Sequence, residues 1–183
     1  MRNVLTIVFI LSSFIFVNAQ ATDEISLTTG FDYYPDYKVN MGFGLGMDYG
    51  GIGLRVNGLV SKTTMLFGGL GYNFNGAGFN AGTWFRLAPL KKVCPTLGVM
   101  YGYNAVIVVK GASEYNKTYY GPSIGAGMEI RSRHSNNFVN LELLIPFRSQ
   151  EYSRDIDMIR SNPYVDLNEP LPFTISIGFH TVL

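Results

Sequence analysis

The C-terminal stretch of the chain reads FTISIGFHTVL, from Phe173 to Leu183. Every second residue from Phe173 to Phe179 is large and apolar, and the residues between them are polar or small. This period of two is that of a β-strand with one apolar and one polar face. The same alternation returns at 51–61, 119–131 and 138–147, so the chain is predicted to repeat one kind of two-faced strand.

The polar face of these strands is rich in glycine. In a soluble β-sandwich this face would meet water and carry many Lys, Glu and Thr side chains. Here glycine dominates it, with a few Asn, Arg and Glu. Side chains nearly fill the interior of an eight-stranded barrel, so small residues relieve crowding there. The sequence therefore favours an all-β fold, a transmembrane up-and-down antiparallel β-barrel, over the alternative of a soluble sandwich.

Eight strands are predicted, separated by clusters of Gly, Asn, Lys and Ser. They cover 42–50, 51–61, 64–74, 78–88, 96–109, 118–131, 137–148 and 172–183. An even number returns both ends of the chain to one side of the membrane and places the long 149–171 connection outside the cell. A short helix capped by Ser153 is expected at 154–160 within that connection.

Two features leave the strand count open between eight and ten. The segment 24–34 also alternates, so it is either an N-terminal arm or one of an extra pair, with a short strand at 164–167 as its partner. In the eight-strand frame the tight turns at Gly50-Gly51 and 75–78 would lie outside the cell, although short turns are usually periplasmic.

The first residues are interpreted as an export signal. Arg2 supplies a positive start, the run from Val4 to Val17 is apolar, and Val17-Asn18-Ala19 offers small residues for cleavage. The alternative, a membrane anchor, needs roughly 20 apolar residues, more than this run provides. We therefore predict a cleaved signal peptide at 1–19, an arm or extra strand at 20–41 and the barrel at 42–183. The predicted location is the outer membrane of a Gram-negative bacterium.

The composition argues against several classes of function. The chain has 14 basic and 13 acidic residues, so loss of Arg2 with the signal leaves no net charge to attract nucleic acid. Charged residues are 15% of the chain, against about 25% in ordinary soluble domains. Cys94 is the single cysteine and is expected in a loop, without a disulfide partner. The two histidines lack metal-binding spacing, so neither a metal nor a cofactor is predicted.

Charged residues at inward-facing positions are the candidate site. A charge in a crowded interior is costly unless it is paired, so ion pairs and hydrogen bonds with inward asparagines are expected. The predicted network comprises Arg55, Asn57, Asn80, Arg86, Asn104, Glu129, Arg131, Asn140 and Glu142. His180 shares their inward parity and is expected to hydrogen bond in the lumen. Such pairs would plug the tube; the alternative, a narrow aqueous pore, has little room within eight strands.

The hairpin at 68–82 resembles a known family. Its sequence, GGLGYNFNGAGFNAG, is similar in style to small outer-membrane β-barrel proteins of Bacteroidetes, the outer membrane protein beta-barrel domain. The last residues resemble the signal recognised by the outer-membrane assembly machinery, with Ser176, Gly178 and Leu183 at matching positions. The resemblance implies contact with the lipid bilayer and with that machinery, and it implies no activity.

The predicted function is non-enzymatic, a role in envelope structure or surface interaction with an unidentified surface ligand. The alternative is a narrow pore or a small-solute or lipid-binding barrel. An enzyme hypothesis, borrowed from outer-membrane lipid A deacylases, would use His134 with Ser132, Ser135 and Glu129, but neighbouring turn residues rarely reach the required geometry. Aromatic residues near strand ends are expected to form interfacial girdles. These are Tyr49, Tyr72, Tyr119, Tyr120, Phe147 and Phe173.

Overall fold

The computed structural model of the chain describes residues 38–108, 116–132, 135–161 and 171–183. Its antiparallel strands close into a barrel, in which each strand pairs with its neighbours in sequence and the first pairs with the last. The predicted up-and-down barrel of eight antiparallel strands is confirmed. The strands are β1 Val39–Gly46, β2 Gly51–Leu59, β3 Thr64–Tyr72, β4 Ala77–Arg86, β5 Val93–Ile107, β6 Lys117–Arg131, β7 Asn137–Pro146 and β8 Thr174–Val182.

The two faces of each strand differ as the period of two predicts. In β8, Ile175, Ile177 and Phe179 are exposed on the outside of the barrel, whereas Ser176 and His180 are buried inside it. Successive side chains of a strand point to opposite faces, and closing the sheet turns those faces into the wall and the lumen. The apolar face therefore becomes the outer surface, and the polar and small residues become the interior.

The barrel has two unlike ends. The terminal end, where β1 begins and β8 finishes, carries the connections 60–63, 87–92 and 132–136. The loop end carries the connections 47–50, 73–76, 108–116 and 147–173. The longest connection therefore lies at the end opposite the first residue of β1.

The connection between β1 and β2 turns into the lumen, which corrects the predicted strand at 42–50. β1 begins at Val39, ahead of the predicted barrel start, and ends at Gly46. Met47–Tyr49 then form a single 3-10 turn, in which Asp48 and Tyr49 are fully buried. Gly46, Gly50 and Gly51 have φ of 137°, 71° and 110°, backbone conformations that favour glycine. We call residues 47–50 the inner turn. The Gly50-Gly51 turn therefore folds into the barrel instead of projecting beyond its end.

A helix, α1 Gln150–Arg160, lies between β7 and β8. It begins ahead of the predicted 154–160, and its cap is Ser149 rather than Ser153: the Ser149 hydroxyl accepts a hydrogen bond from the Tyr152 amide at 3.2 Å. Tyr152, Ile156 and Ile159 pack against the extended ends of β5 and β6. The helix thus covers part of the loop end with a small apolar core of its own.

Three single-residue predictions are wrong. Cys94 lies in β5 and is buried, because that strand starts at Val93 and includes the segment expected as a loop. Tyr49 lies in the inner turn, and Tyr119 packs beneath α1 with its ring centre 5.2 Å from that of Tyr152. Neither tyrosine belongs to a girdle. The other girdle residues lie on the outside, where Tyr120 is partly buried and Tyr72, Phe147 and Phe173 are exposed.

Several predictions fall outside the described residues. They are the signal peptide at 1–19, the arm or strand at 24–34 and the short strand at 164–167. Among the residues that are described, no helix is both long and apolar enough to cross a membrane.

Candidate functional site in the barrel lumen

Glycines on the inward face make room for the inner turn. A Cβ atom added to those of β2, β3 and β4 would collide with backbone atoms of residues 48–50, and one added to those of β1 and β8 would collide with the Tyr49 ring. The glycines concerned are Gly44, Gly53, Gly69, Gly71, Gly78 and Gly178. The glycine-rich face therefore surrounds a folded segment of chain, and it does more than thin a crowded interior.

Arg55 is the centre of the lumen contacts. Its side chain on β2 is fully buried and donates hydrogen bonds to Asp48 of the inner turn and to Glu142 on β7, at 3.0 and 2.8 Å from the two Glu142 oxygens. Its guanidinium carbon lies 5.0 Å from the centre of the Tyr49 ring and 5.3 Å from that of Phe67. Charge-assisted hydrogen bonds and cation–π contacts together tie the inner turn to β2 and β7.

His180 on β8 holds the tip of the inner turn. The Tyr49 hydroxyl lies 2.5 Å from its Nε2 atom, and the side chains of Asn40 and Asn57 lie 2.9 and 3.0 Å from its Nδ1 atom. A neutral imidazole donates from one nitrogen and accepts at the other. With the proton on Nδ1, the ring donates to Asn40 Oδ1 and accepts at Nε2 from the Tyr49 hydroxyl, and Asn57 donates to Asn40 instead. The Phe138 ring stacks on it at 4.9 Å. This aromatic and amide cluster fixes Tyr49 across the barrel.

A second ion cluster lies toward the terminal end. Arg86 Nε on β4 is 3.2 Å from Glu129 Oε2 on β6, and Arg131 Nη2 donates to the same oxygen at 2.8 Å. Arg86 also donates to the carbonyl oxygen of Lys62 at 3.4 Å, and Arg131 donates to that of Pro89. The two arginines thereby hold the 60–63 and 87–92 connections from inside.

An apolar cluster fills the part of the lumen beside the inner turn. The single tryptophan, Trp84, is 1% exposed, and its ring centre lies 6.5 Å from that of Phe67. The cluster comprises Met47, Met65, Phe67, Trp84, Met100 and Leu144, with Tyr103 packed against it. Close packing of this kind leaves few voids larger than a water molecule.

All nine residues of the predicted network are buried, but they do not form one network. The charged members divide into the Arg55 and Arg86 clusters described above. Asn140 donates to Glu142 at 3.3 Å, whereas the other asparagines bind neutral groups. Asn57 donates to Asn40 at 2.5 Å, Asn80 donates to the carbonyl oxygen of Met47, and Asn104 donates to that of Phe147 at 3.1 Å. Asn104 stands at a β-bulge between Tyr103 and Ala105.

Buried charges balance within the described lumen. Three arginines and three carboxylates are 3% exposed or less. They are Arg55, Arg86 and Arg131 against Asp48, Glu129 and Glu142. Desolvating a charge costs several kcal/mol unless it is paired, and each of these contacts at least one opposite charge. The buried charges of the described lumen are therefore paired.

The sequence did not predict the inner turn or its partners. Asp48 and Tyr49 stood at the end of the predicted strand 42–50, so their side chains could not be assigned to the lumen. Asn40 lay ahead of the predicted start of the barrel. The signal that could have found them is the clustering of Gly46, Gly50 and Gly51. Glycines so close together permit a sharp reversal that a continuous strand does not need.

The structure describes three of the four residues of the enzyme hypothesis. Glu129 is buried between two arginines, whereas Ser132 and Ser135 are exposed. His134 lies outside the described residues. Over 38–108, 116–132, 135–161 and 171–183, no group of three or more His, Cys, Asp and Glu residues is placed to hold a metal ion.

A polar contact anchors α1 at the loop end. Lys117 Nζ donates to Asp155 Oδ2 and to Glu151 Oε1, each at 2.8 Å, and the Tyr119 hydroxyl donates to the same Asp155 oxygen at 2.6 Å. Hydrogen bonds from Lys117 and then Tyr119 lower the pKa of Asp155 below its ordinary value. The ionised carboxylate therefore stabilises the docked helix.

We expect α1 to loosen in acid while the barrel stays folded. Because the pKa of Asp155 is lower in the folded chain than in the unfolded one, its contribution is complete above the ordinary pKa of about 3.9. That contribution is lost as the pH falls through the lowered pKa. As the pH falls through the lowered pKa of Asp155, hydrogen-exchange protection of the α1 amides should decrease. The protection is corrected for intrinsic exchange rates and compared with that of the strands. Asp155→Asn should lower it already at neutral pH.

Asp157→Asn is the matched control for that measurement. Asp157 sits on the exposed side of the same helix and pairs with Arg160 at 3.3 Å, so its loss should leave the acid response in place. Equal protection of α1 in Asp155→Asn and in the unaltered chain at neutral pH would contradict the anchoring role.

No family model matches the chain, and no curated protein matches it.

Proposed function

We propose that this chain is a membrane-spanning β-barrel of a bacterial outer membrane, with a structural or surface-interaction role and no catalytic one. The supporting observation is the outer surface, on which every strand exposes large apolar side chains. One from each strand, in order, is Phe43, Leu54, Leu70, Phe79, Val99, Ile124, Leu143 and Ile175. Soluble monomers rarely expose contiguous apolar patches beyond a few hundred Å². An outer surface of this kind is suited to contact with the hydrocarbon chains of a bilayer.

The lumen supports a structural role over a conducting one. The inner turn occupies its centre, the buried charges are paired, and the apolar cluster fills the space beside them. A pore needs a continuous polar path, and small barrels have little room for one. An ion-selective conductance step in planar bilayers, reduced by Glu142→Ala or Arg86→Ala, would favour the pore instead.

The loop end supports the surface-interaction part of the proposal. In a membrane barrel the longer connections lie on the extracellular side, and here the longest one carries α1. The face of α1 turned away from the barrel exposes Arg154, Asp157 and Met158. β8 closes the barrel by pairing with β1 along most of its length, in keeping with the proposed recognition of the C-terminal strand by the assembly machinery.

Two equally drastic substitutions test whether the outer wall contacts lipid. Leu54, in the middle of β2, is 51% exposed, and Met158 on α1 is 66% exposed. An arginine facing the centre of a bilayer costs about 2–4 kcal/mol. Leu54→Arg should therefore lower the free energy of unfolding in phospholipid vesicles by about that amount, and Met158→Arg should leave it unchanged. The folded fraction is measured by heat-modifiable migration of unboiled samples across a urea series.

Equal, small effects of the two arginines would contradict the proposal. So would a folded, monodisperse chain in detergent-free buffer, because a lipid-facing wall would aggregate there.

A further inference from the structure

Exposed lysines lie at the terminal end of the barrel, along the part of its edge from β1 to β5. Lys38 precedes β1, Lys62 lies between β2 and β3, and Lys91 and Lys92 lie between β4 and β5; all four are exposed. No Asp or Glu side chain is exposed at this end within the described residues. We call these four residues the basic rim. Its charge is of one sign.

The cluster beneath the basic rim adds to its positive potential. Arg86 and Arg131 share one carboxylate, that of Glu129, so the cluster carries two positive charges against one negative. The same arginines donate to the carbonyl oxygens of Lys62 and Pro89, which fixes two of the lysine-bearing connections. Charges of one sign on a low-dielectric body reinforce one another in attracting counterions.

The loop end has no such bias. Its exposed or partly exposed acids, Glu151, Asp155 and Asp157, stand beside Lys117 and Arg160. Positive and negative charges pair there, so the one-sided potential is confined to the terminal end of the described chain.

Apolar residues next to the lysines place the rim at a membrane surface. Val60 precedes the Lys62 turn, and Leu87, Leu90 and Val93 flank Lys91 and Lys92; all four apolar side chains are exposed. A lysine beside such residues can lay its stem along the apolar surface and hold its ammonium at headgroup level. Lipid phosphates lie at that level.

We propose that the basic rim binds the phosphate groups of anionic phospholipids in the leaflet at the terminal end of the barrel. This proposal rests on the proposed membrane insertion. Lysines near an anionic surface each strengthen binding about fivefold at moderate salt, and the effect fades as salt screens the charges. The rim thereby selects the lipids around this end.

The test uses the full chain folded into vesicles of phosphatidylcholine with an equal amount of phosphatidylglycerol. The chain is extracted gently, and the lipids it retains are counted by native mass spectrometry. The rim variant is Lys91→Gln/Lys92→Gln. The matched control is Arg154→Gln/Arg160→Gln, which removes the same charge from the exposed face of α1. Both pairs are exposed and lie in a connection or on a helix, so neither substitution disturbs the strands.

The unaltered chain should retain phosphatidylglycerol in preference, and the rim variant, which lacks two lysines worth about fivefold each, should lose that preference by roughly 25-fold. The control should keep it, and rising salt should erase it. Equal preference in the unaltered chain and the rim variant, or an equal loss in the control, would overturn the proposal. So would displacement of phosphatidylglycerol by inorganic phosphate but not by chloride at the same ionic strength, since the rim would then recognise free phosphate.

Failure of membrane insertion can be told apart in the same samples. A chain that inserts into both lipids without preference contradicts the basic rim alone. A chain that inserts into neither contradicts the proposed function, and the lipid site with it.

Discussion

Replacing Arg55 with methionine is expected to destabilise the folded barrel by about 3–5 kcal/mol, because it leaves buried charges without a partner. Arg55 is the cation that contacts both Asp48 and Glu142. In Arg55→Met those carboxylates would lie in the closed lumen with no opposite charge beside them. The inner turn would also lose the cation that Tyr49 faces. Urea unfolding in vesicles, followed by heat-modifiable migration, measures the loss.

Two further variants show that charge, not side-chain volume, causes this effect. Asp48→Asn/Arg55→Met/Glu142→Gln removes all three charges and should recover most of the lost stability, since neutral groups cost less to bury. Lys117→Met breaks an exposed contact with Glu151 and Asp155, and exposed pairs contribute about 0–1 kcal/mol. A single Arg55→Met variant as stable as Lys117→Met would contradict the buried ion cluster.

Gly69→Ala should be the second severe change. A Cβ at Gly69 would overlap the carbonyl oxygen of Asp48, and that oxygen belongs to a backbone held by Arg55 and Asn80. Overpacking a filled interior costs about 1–3 kcal/mol, and here the neighbour is backbone rather than a flexible side chain. We expect a loss at the upper end of that range.

Gly68→Ala is the matched control, one residue away on the same strand. A Cβ there meets open space on the outer face, and alanine in a strand interior is more favourable than glycine by about 0.5–1 kcal/mol. The two variants should therefore shift the urea midpoint in opposite directions. Similar shifts would mean that the inner turn does not occupy the lumen as described.

The strands could be predicted because their signal is local. Alternation such as that in FTISIGFHTVL at 173–183 needs only neighbouring residues, and side chains of a strand point to opposite faces whatever the strand pairs with. The same rule assigned the nine lumen residues to the inside. The charged ones among them then had to pair, since an isolated charge in the interior is too costly.

The pairing itself could not be predicted, because it depends on where a turn goes. Asp48 supplies the second carboxylate at Arg55 only after Gly46 lets the chain leave β1 and enter the lumen. The clustered glycines mark a reversal of the chain but not its direction, since a hairpin that turns outside would need similar glycines. The asparagines illustrate the same limit: Asn80 binds the inner turn rather than a charged side chain.

α1 and Cys94 show a different limit, that of element boundaries. Ser149 and Ser153 are each followed two positions later by an acidic residue, Glu151 or Asp155, so both could precede a helix. The apolar contacts of Tyr152 with the β5–β6 extension favour the earlier start. Cys94 and Pro95 were expected in the loop between the predicted strands 78–88 and 96–109, yet both pair with β6 in β5. Tertiary contacts decide such cases.

The most direct test of a lipid-facing wall around a closed lumen is quenching of tryptophan by phospholipids with brominated acyl chains. Trp84, the single tryptophan, is 1% exposed inside the barrel, whereas Phe179 on β8 is 53% exposed outside it. Brominated lipid should leave the emission of the unaltered chain unchanged and strongly quench that of Trp84→Phe/Phe179→Trp. Quenching of Trp84 would contradict a closed lumen, and an unquenched tryptophan at position 179 would contradict a lipid-facing wall.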